Sequence, residues 1–255
     1  MMTARFILFF STLSILCLSS GSVLGAPPVI IIDPGHGGRS IAGSLAERSN
    51  SSPNNATSPG GLREKDLTLE FSRILHDEIL KEAGRAGINV GVLMTRNDDR
   101  NLNFVERAAI ANRPDTACVV SIHFNAGGGG KALGSLALIS SQQRNTNYAV
   151  DEAFGRAIAE ACNAGVRKYI PSSKSRGIMT DGHLHGGLGS NFFFQMARHR
   201  NLRTVPKCFL EVEFIDNPAV EKALLRDGRA EKFQTIARSV AIFLVEWAEP
   251  KAKQR

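Results

Sequence analysis

Two histidines in this sequence stand where an apolar run gives way to a turn. His36 follows Val29-Ile30-Ile31-Ile32-Asp33-Pro34-Gly35 and precedes Gly37-Gly38. Glycine on both sides lets the backbone turn tightly and leaves the imidazole accessible. His123 repeats the arrangement at the end of Val119-Val120-Ser121-Ile122, ahead of Phe124-Asn125-Ala126. Two neutral imidazoles plus one carboxylate, with a fourth position left to water, is the usual composition of a catalytic zinc site. Glu64, at the entrance to a helical pattern, is the third ligand candidate. Metal-assisted hydrolysis also needs a general base. Glu211 and Glu213 lie in one late β-branched and apolar run, and the strand period of two puts both on the same face, so either meets that need.

The elements that must carry these residues alternate. Short apolar runs at 29–32, 88–95, 117–122, 134–140 and 207–215 have the length and composition of strands. Between them, residues from Asp66 onward return Leu67, Phe71, Ile74, Leu75 and Ile79 to one face until Gly84 and Gly87 stop the pattern. Further helices are expected over 104–112, 149–164 and 230–247. Residues 39–61 are rich in Ser, Asn, Pro and Gly and too long for an ordinary connection, and 171–191 lacks periodicity. Strands alternating with helices predict a single α/β domain, a twisted and mostly parallel sheet with helices on both faces. In such sheets, sites lie at the carboxyl ends of strands, where His36 and His123 fall.

Several ordered blocks resemble the zinc-dependent N-acetylmuramoyl-L-alanine amidases that include the cell-separation amidases of Gram-negative bacteria. They are Ile32-Asp33-Pro34-Gly35-His36-Gly37-Gly38, Glu64-Lys65-Asp66-Leu67, Leu93-Met94-Thr95-Arg96, Arg107 with Ala111-Asn112, Ser121-Ile122-His123-Phe124-Asn125-Ala126, and Leu210-Glu211-Val212-Glu213-Phe214-Ile215-Asp216-Asn217-Pro218. The resemblance covers about residues 29–247 and implies a zinc-peptidase-like fold. It implies one Zn2+ per chain on His36, Glu64 and His123, with Glu211 as the catalytic glutamate. Glu213 stands where the family usually has glycine. The implied reaction is hydrolysis of the amide between the lactyl group of N-acetylmuramic acid and L-alanine in peptidoglycan, in wall remodelling or cell separation. Asp33 and Asn125 are candidates either for orienting His36 and His123, because a metal-bound imidazole donates its other N–H to such a group, or for structural roles in their own turns. Arg96 and Arg107 are expected to brace local structure. His183 and His185 lie in a glycine-rich stretch where the chain leaves the family pattern, and an exposed loop binding nothing in particular is expected there.

The start of the chain has Arg5, an apolar run from Phe6 to Leu18 interrupted by Ser11, Thr12 and Ser14, and small residues at its exit. That describes a secretory signal over 1–25, with the zinc amidase domain over 26–255. The run falls short of the roughly 20 residues a membrane span needs, so no stable membrane insertion is expected after cleavage. Secretion to the periplasm or cell envelope follows. The formal net charge is +7, and only Arg5 of the excess lies in the leader, which favours an anionic partner. Export and the lack of an aromatic-basic binding motif argue against nucleic acid; peptidoglycan fits the compartment, and a protein activator is left open. Of the four cysteines, Cys17 would leave with the leader, and the remaining Cys118, Cys162 and Cys208 are odd in number and widely spaced, more in keeping with small buried thiols than with a disulfide framework. Two rivals stay open: a zinc carboxypeptidase, which would want a cation in its groove to grip a free carboxylate, and a wall-binding module, which would lack a ligand or the base.

Overall fold

The computed structural model describes residues 26–184 and 187–253. Residues 1–25, expected to be a secretory signal, and His185 lie outside the described residues. In chain order the elements are β1 (Val29–Pro34), α1 (Glu64–Ala86), β2 (Gly91–Met94), α2 (Phe104–Ala111), β3 (Thr116–Asn125), β4 (Leu136–Ile139), α3 (Tyr148–Val166), β5 (Ile178–Thr180), α4 (Asp181–Leu184), α5 (Asn191–Arg198), β6 (Lys207–Phe214), α6 (Pro218–Val220) and α7 (Arg229–Lys253). They form one α/β domain around a six-stranded sheet of order β2-β1-β3-β6-β4-β5. Every neighbouring pair is parallel except β4 with β6, so the expectation of a mostly parallel sheet holds.

The period of two in the strands divides the core between two faces. Ile30, Ile32, Cys118, Val120, Ile122, Cys208 and Leu210 pack with α1, α3 and α7. Val29, Ile31, Val119, Leu138 and Phe209 pack on the other face with Ala108 and Ala111 of α2 and Phe192, Phe193 and Met196 of α5. Phe71, Phe124 and Phe233 knit α1, β3 and α7 together at ring-centroid separations of 5.4 to 6.3 Å. Each such fully buried side chain contributes about 1.5–3 kcal/mol of burial. Cys118, Cys162 and Cys208 are all buried and free, as a small apolar thiol should be. Among the described residues no helix is long and apolar enough to cross a membrane.

Helix α1 starts at Glu64 rather than Asp66 and ends where Gly87, at φ 66°, takes the left-handed cap and donates its N–H to Ala83 and Gly84 carbonyls. Acidic Glu64 and Asp66 in its first turn complement the helix dipole. Three short elements depart from the sequence expectation, among them α4, the single helical turn that carries His183 in place of the expected loop. The 171–191 region contains the edge strand β5, only three residues long, and the stretch after it forms α5, capped by the Ser190 side chain on the Phe192 N–H. The surrounding glycines hide the cap and the Phe192, Phe193, Met196 spacing that would have marked this helix.

Candidate metal centre

His36 is delivered by the tight turn after β1 and held in the left-handed region at φ 60°. Two buried arginines fix that turn. Arg107 donates to the carboxylate of Asp33 at 2.7 Å and to the carbonyls of Pro34 and His36, and Arg96 donates to the carbonyls of Pro34, Gly35 and Lys65. Both arginines therefore brace structure, as expected. Asp33 does not orient His36: its oxygens accept from Arg107, Ser121 and Thr95. Burial alone would raise the Asp33 carboxyl, but Arg107 and the two hydroxyls outweigh it and hold the group below the usual carboxylate range.

The group that orients His36 is Ser52, from the long 39–61 loop. Nδ1 of His36 lies 3.0 Å from the Ser52 carbonyl oxygen and 3.2 Å from its hydroxyl. A carbonyl only accepts, so Nδ1 carries the proton and Nε2 keeps its lone pair. That Nε2 is buried, has no hydrogen-bond partner, and stands 3.2 Å from Oε2 of Glu64. Asn125 likewise serves its own turn, accepting from the Ala126 N–H, and leaves His123 to other partners.

Glu64 sits at the first position of α1 and bridges the two imidazoles. Its Oε1 lies 3.0 Å from Nδ1 of His123 and accepts from the Phe124 N–H. Burial pushes this carboxyl up, yet the flanking His36 and His123 win and hold it at about 2. One ligand atom from each of His36, Glu64 and His123 lies within 4.8 Å of the others. An anionic carboxylate between two imidazoles, one with an orphaned lone pair, is a donor set suited to a zinc-like ion.

Gly35 makes the cluster possible. A Cβ built there would fall 2.4 Å from Cε1 of the His123 ring. Gly35→Ala is expected to displace that imidazole and weaken metal affinity about 10–100-fold while circular dichroism stays that of the parent, the scale typical of residues that hold a metal ligand in place. Unchanged affinity in a chelator competition would show that the ring does not depend on this contact.

Glu211 lies opposite His123 in the β3–β6 register and lines the same cleft. Its Oε2 is buried without a partner. Burial raises this carboxyl to about 7, with Glu64 adding to the shift and His123 opposing it. Glu213 is elsewhere, although strand periodicity places it beside Glu211. The register slips between His123 and Asn125, which pair with Glu211 and Phe214, so a bulge in β6 breaks the alternation. Fully buried Glu213 accepts from the Gly134 N–H at 2.6 Å, the Ser173 hydroxyl at 2.7 Å and the Phe214 N–H. It is a structural carboxylate.

The cleft has a volume of about 360 Å3 and also takes in Asn50, Ser52, Asn55, Phe104, Leu138, Asn191 and Phe209. The 39–61 loop forms one wall and is clasped to α5. Arg48 donates to Asn191 Oδ1 at 3.0 Å and stacks 4.1 Å over the Phe194 ring, and the Asn191 amide donates to Asn50. His183 is exposed and outside the cluster. Among the described residues no second group of metal-ligating side chains occurs.

A parallel-rich sheet that gathers a His-Glu-His cluster and a buried carboxylate at the ends of its central strands defines an α/β domain of the hydrolase type. The N-acetylmuramoyl-L-alanine amidase family model matches residues 30–241, and the chain belongs to that family. It is 26% identical to the amidase AmiC of Neisseria meningitidis over 86% of this chain and 53% of that protein. It is 36% identical to the amidase CwlM of Bacillus licheniformis over 39% of this chain and 32% of that one. The chain thus spans about half or less of the curated relatives it matches. The amidase AmiC2 of Nostoc punctiforme shares the fold, with a TM-score of 0.58 at 22% identity over 91% of this chain and all of that structure.

Proposed function

We propose that this chain is a secreted, zinc-dependent amidase that hydrolyses the bond between the lactyl group of N-acetylmuramic acid and L-alanine in peptidoglycan, during wall remodelling or cell separation. The observation that carries the reading is the cluster itself: a buried Glu64 between His36 and His123, with a second, unpartnered carboxylate, Glu211, in the same cleft. Family membership supplies the substrate class.

His36, Glu64 and His123 would hold the zinc, which when bound supplies Lewis acidity for water activation and carbonyl polarisation. Ser52 keeps the His36 proton on Nδ1 and so presents Nε2 to the ion. Glu211, an unpartnered carboxyl that burial makes more basic than a free one, takes a proton from the attacking water and returns it to the departing alanine amine. The water's oxygen ends on the lactyl carbon, the C–N bond breaks, and no covalent enzyme intermediate is needed. Phe104, Leu138 and Phe209 supply apolar wall, and the side-chain amides of Asn50, Asn55 and Asn191 supply donors and acceptors suited to an amide-rich substrate.

One further feature favours an amidase over a carboxypeptidase. Arg107 is the cation that lines the cleft among the described residues, and all three of its guanidinium nitrogens already donate, to Leu102, Asp33, Pro34 and His36. It is committed to the turn rather than to a substrate carboxylate. The role of residues 1–25 as an export signal is part of the proposal and places the enzyme outside the cytoplasm. Metal dependence is tested by dialysis against a chelator: activity on peptidoglycan should vanish and return with one equivalent of zinc. Full activity in a protein shown by mass spectrometry to be metal-free would exclude the zinc reading.

A further inference from the structure

One wall of the cleft is thin. Gly189 and Ser190 line the cleft on one side and a smaller cavity of about 70 Å3 on the other, and Arg48 and Asp181 face them from that second side. Nη2 of Arg48 donates to the Leu188 and Gly189 carbonyls at 3.0 and 3.2 Å, and its Nε donates to Oδ1 of Asn191 at 3.0 Å. Buried Asp181 accepts from the Ser190 N–H at 2.6 Å and is itself fixed by the Ser141 N–H and hydroxyl, at 2.9 and 2.8 Å. The wall is therefore held from behind at its carbonyls by one side chain and at an N–H by another.

Arg48 reaches this wall from the 39–61 loop, 140 residues before Leu188 in the chain. Its φ of 52° is left-handed, a conformation a non-glycine residue keeps only where its surroundings dictate it. Here they do. Gln195 of α5 donates to the carbonyls of Glu47 and Arg48 at 2.8 and 2.9 Å, and the Phe194 ring lies 4.1 Å from the guanidinium. None of these contacts touches His36, Glu64, His123 or Glu211. The Ser52 end of the loop has anchors that do not pass through Arg48: the Phe104 N–H donates to the Ser49 carbonyl and the Asn101 amide to the Ser51 carbonyl, each at 2.8 Å.

We propose that Arg48 is a positioning residue for the substrate: its guanidinium holds the 188–191 wall against the 39–61 loop and so sets the width of the cleft, while the metal cluster keeps its own anchors. The amidase reading supplies the identity of that substrate. A planar fork of donors matches two adjacent carbonyls and a side-chain amide at once, which a single ammonium does not. Without the fork, substrate must order the wall as it binds, a cost met in ground state and transition state alike, so it falls on KM rather than on kcat.

Arg48→Gly tests this, because glycine adopts a left-handed φ without strain and only the side chain is lost. On soluble peptidoglycan fragments KM should rise about tenfold, the scale of one charge-assisted hydrogen bond, with kcat within about threefold of the parent and zinc content unchanged. Arg48→Lys keeps the charge and should show nearly the same loss, and guanidinium ion added to Arg48→Gly should lower KM again. Hydrogen exchange without substrate should speed up at the amides of residues 188–191 in both variants. The exchange result does not depend on which bond is cut, so failure of the amidase reading and failure of this one are distinguishable. Unchanged exchange in Arg48→Gly, or a parent-like KM in Arg48→Lys, would overturn the proposal. A fall in kcat and zinc content at constant KM would overturn it too, moving the role of Arg48 to Ser52 and His36. Should Arg48→Gly fail to fold, Arg48→Lys carries both readouts.

Discussion

Glu211→Gln is expected to leave zinc content and melting temperature near those of the parent and to lower kcat by about 10²–10⁴, the range a positioned acid–base group contributes. The amide is nearly isosteric and cannot accept the proton of the attacking water. Oε2 of Glu211 has no hydrogen-bond partner to lose, so folding should register little. Glu213→Gln should behave in the opposite way. That carboxylate takes three hydrogen bonds inside the core, from Gly134, Ser173 and Phe214, and weakening them should cost about 1.5–3 kcal/mol of stability while the remaining folded enzyme turns over almost normally. Kinetics and thermal melts on the two variants decide the assignment. If Glu213→Gln were the catalytically dead one, the bulge in β6 would have been given the wrong consequence.

The larger effect is expected at the cluster. His36→Ala, Glu64→Ala and His123→Ala should each lose most bound zinc and nearly all activity, because two remaining ligands cannot hold the ion tightly. Glu64→Ala should be the most severe, since it removes the anion that both imidazoles face at 3.0 and 3.2 Å. Elemental analysis of the three purified variants checks this directly. Zinc retained at the parent level in any one of them would remove that residue from the site.

Much of this site was legible in the sequence, for a physical reason. His36 and His123 end apolar runs, and in a sheet of this kind strand ends converge, so two local patterns sufficed to bring distant residues together. Glu64 announced itself at a helix entrance. The choice between Glu211 and Glu213 was not legible from strand period, because Val212-Glu213-Phe214 reads as regular strand and a bulge depends on the neighbouring β3 rather than on its own residues. Only the family resemblance favoured Glu211. Ser52 was missed for a related reason. It reaches His36 from 16 residues away through a loop whose path is set by the Ala42–Ser51 bridge and the Arg48 clasp to α5, contacts that no periodicity encodes. Of the two roles the sequence left open for Asp33, orienting His36 or fixing its turn, the second holds, because the buried carboxylate is paired with the buried Arg107 guanidinium.

The central claim is the bond that is cut, and product analysis of intact sacculi tests it most directly. After incubation with the zinc-loaded enzyme, mass spectrometry should find free peptides beginning with L-alanine, and glycan strands whose muramic lactyl groups end as carboxylic acids. Glu211→Gln should release neither. Stem peptides shortened at their far end but still attached to muramic acid would contradict the account and assign the cleft to a carboxypeptidase.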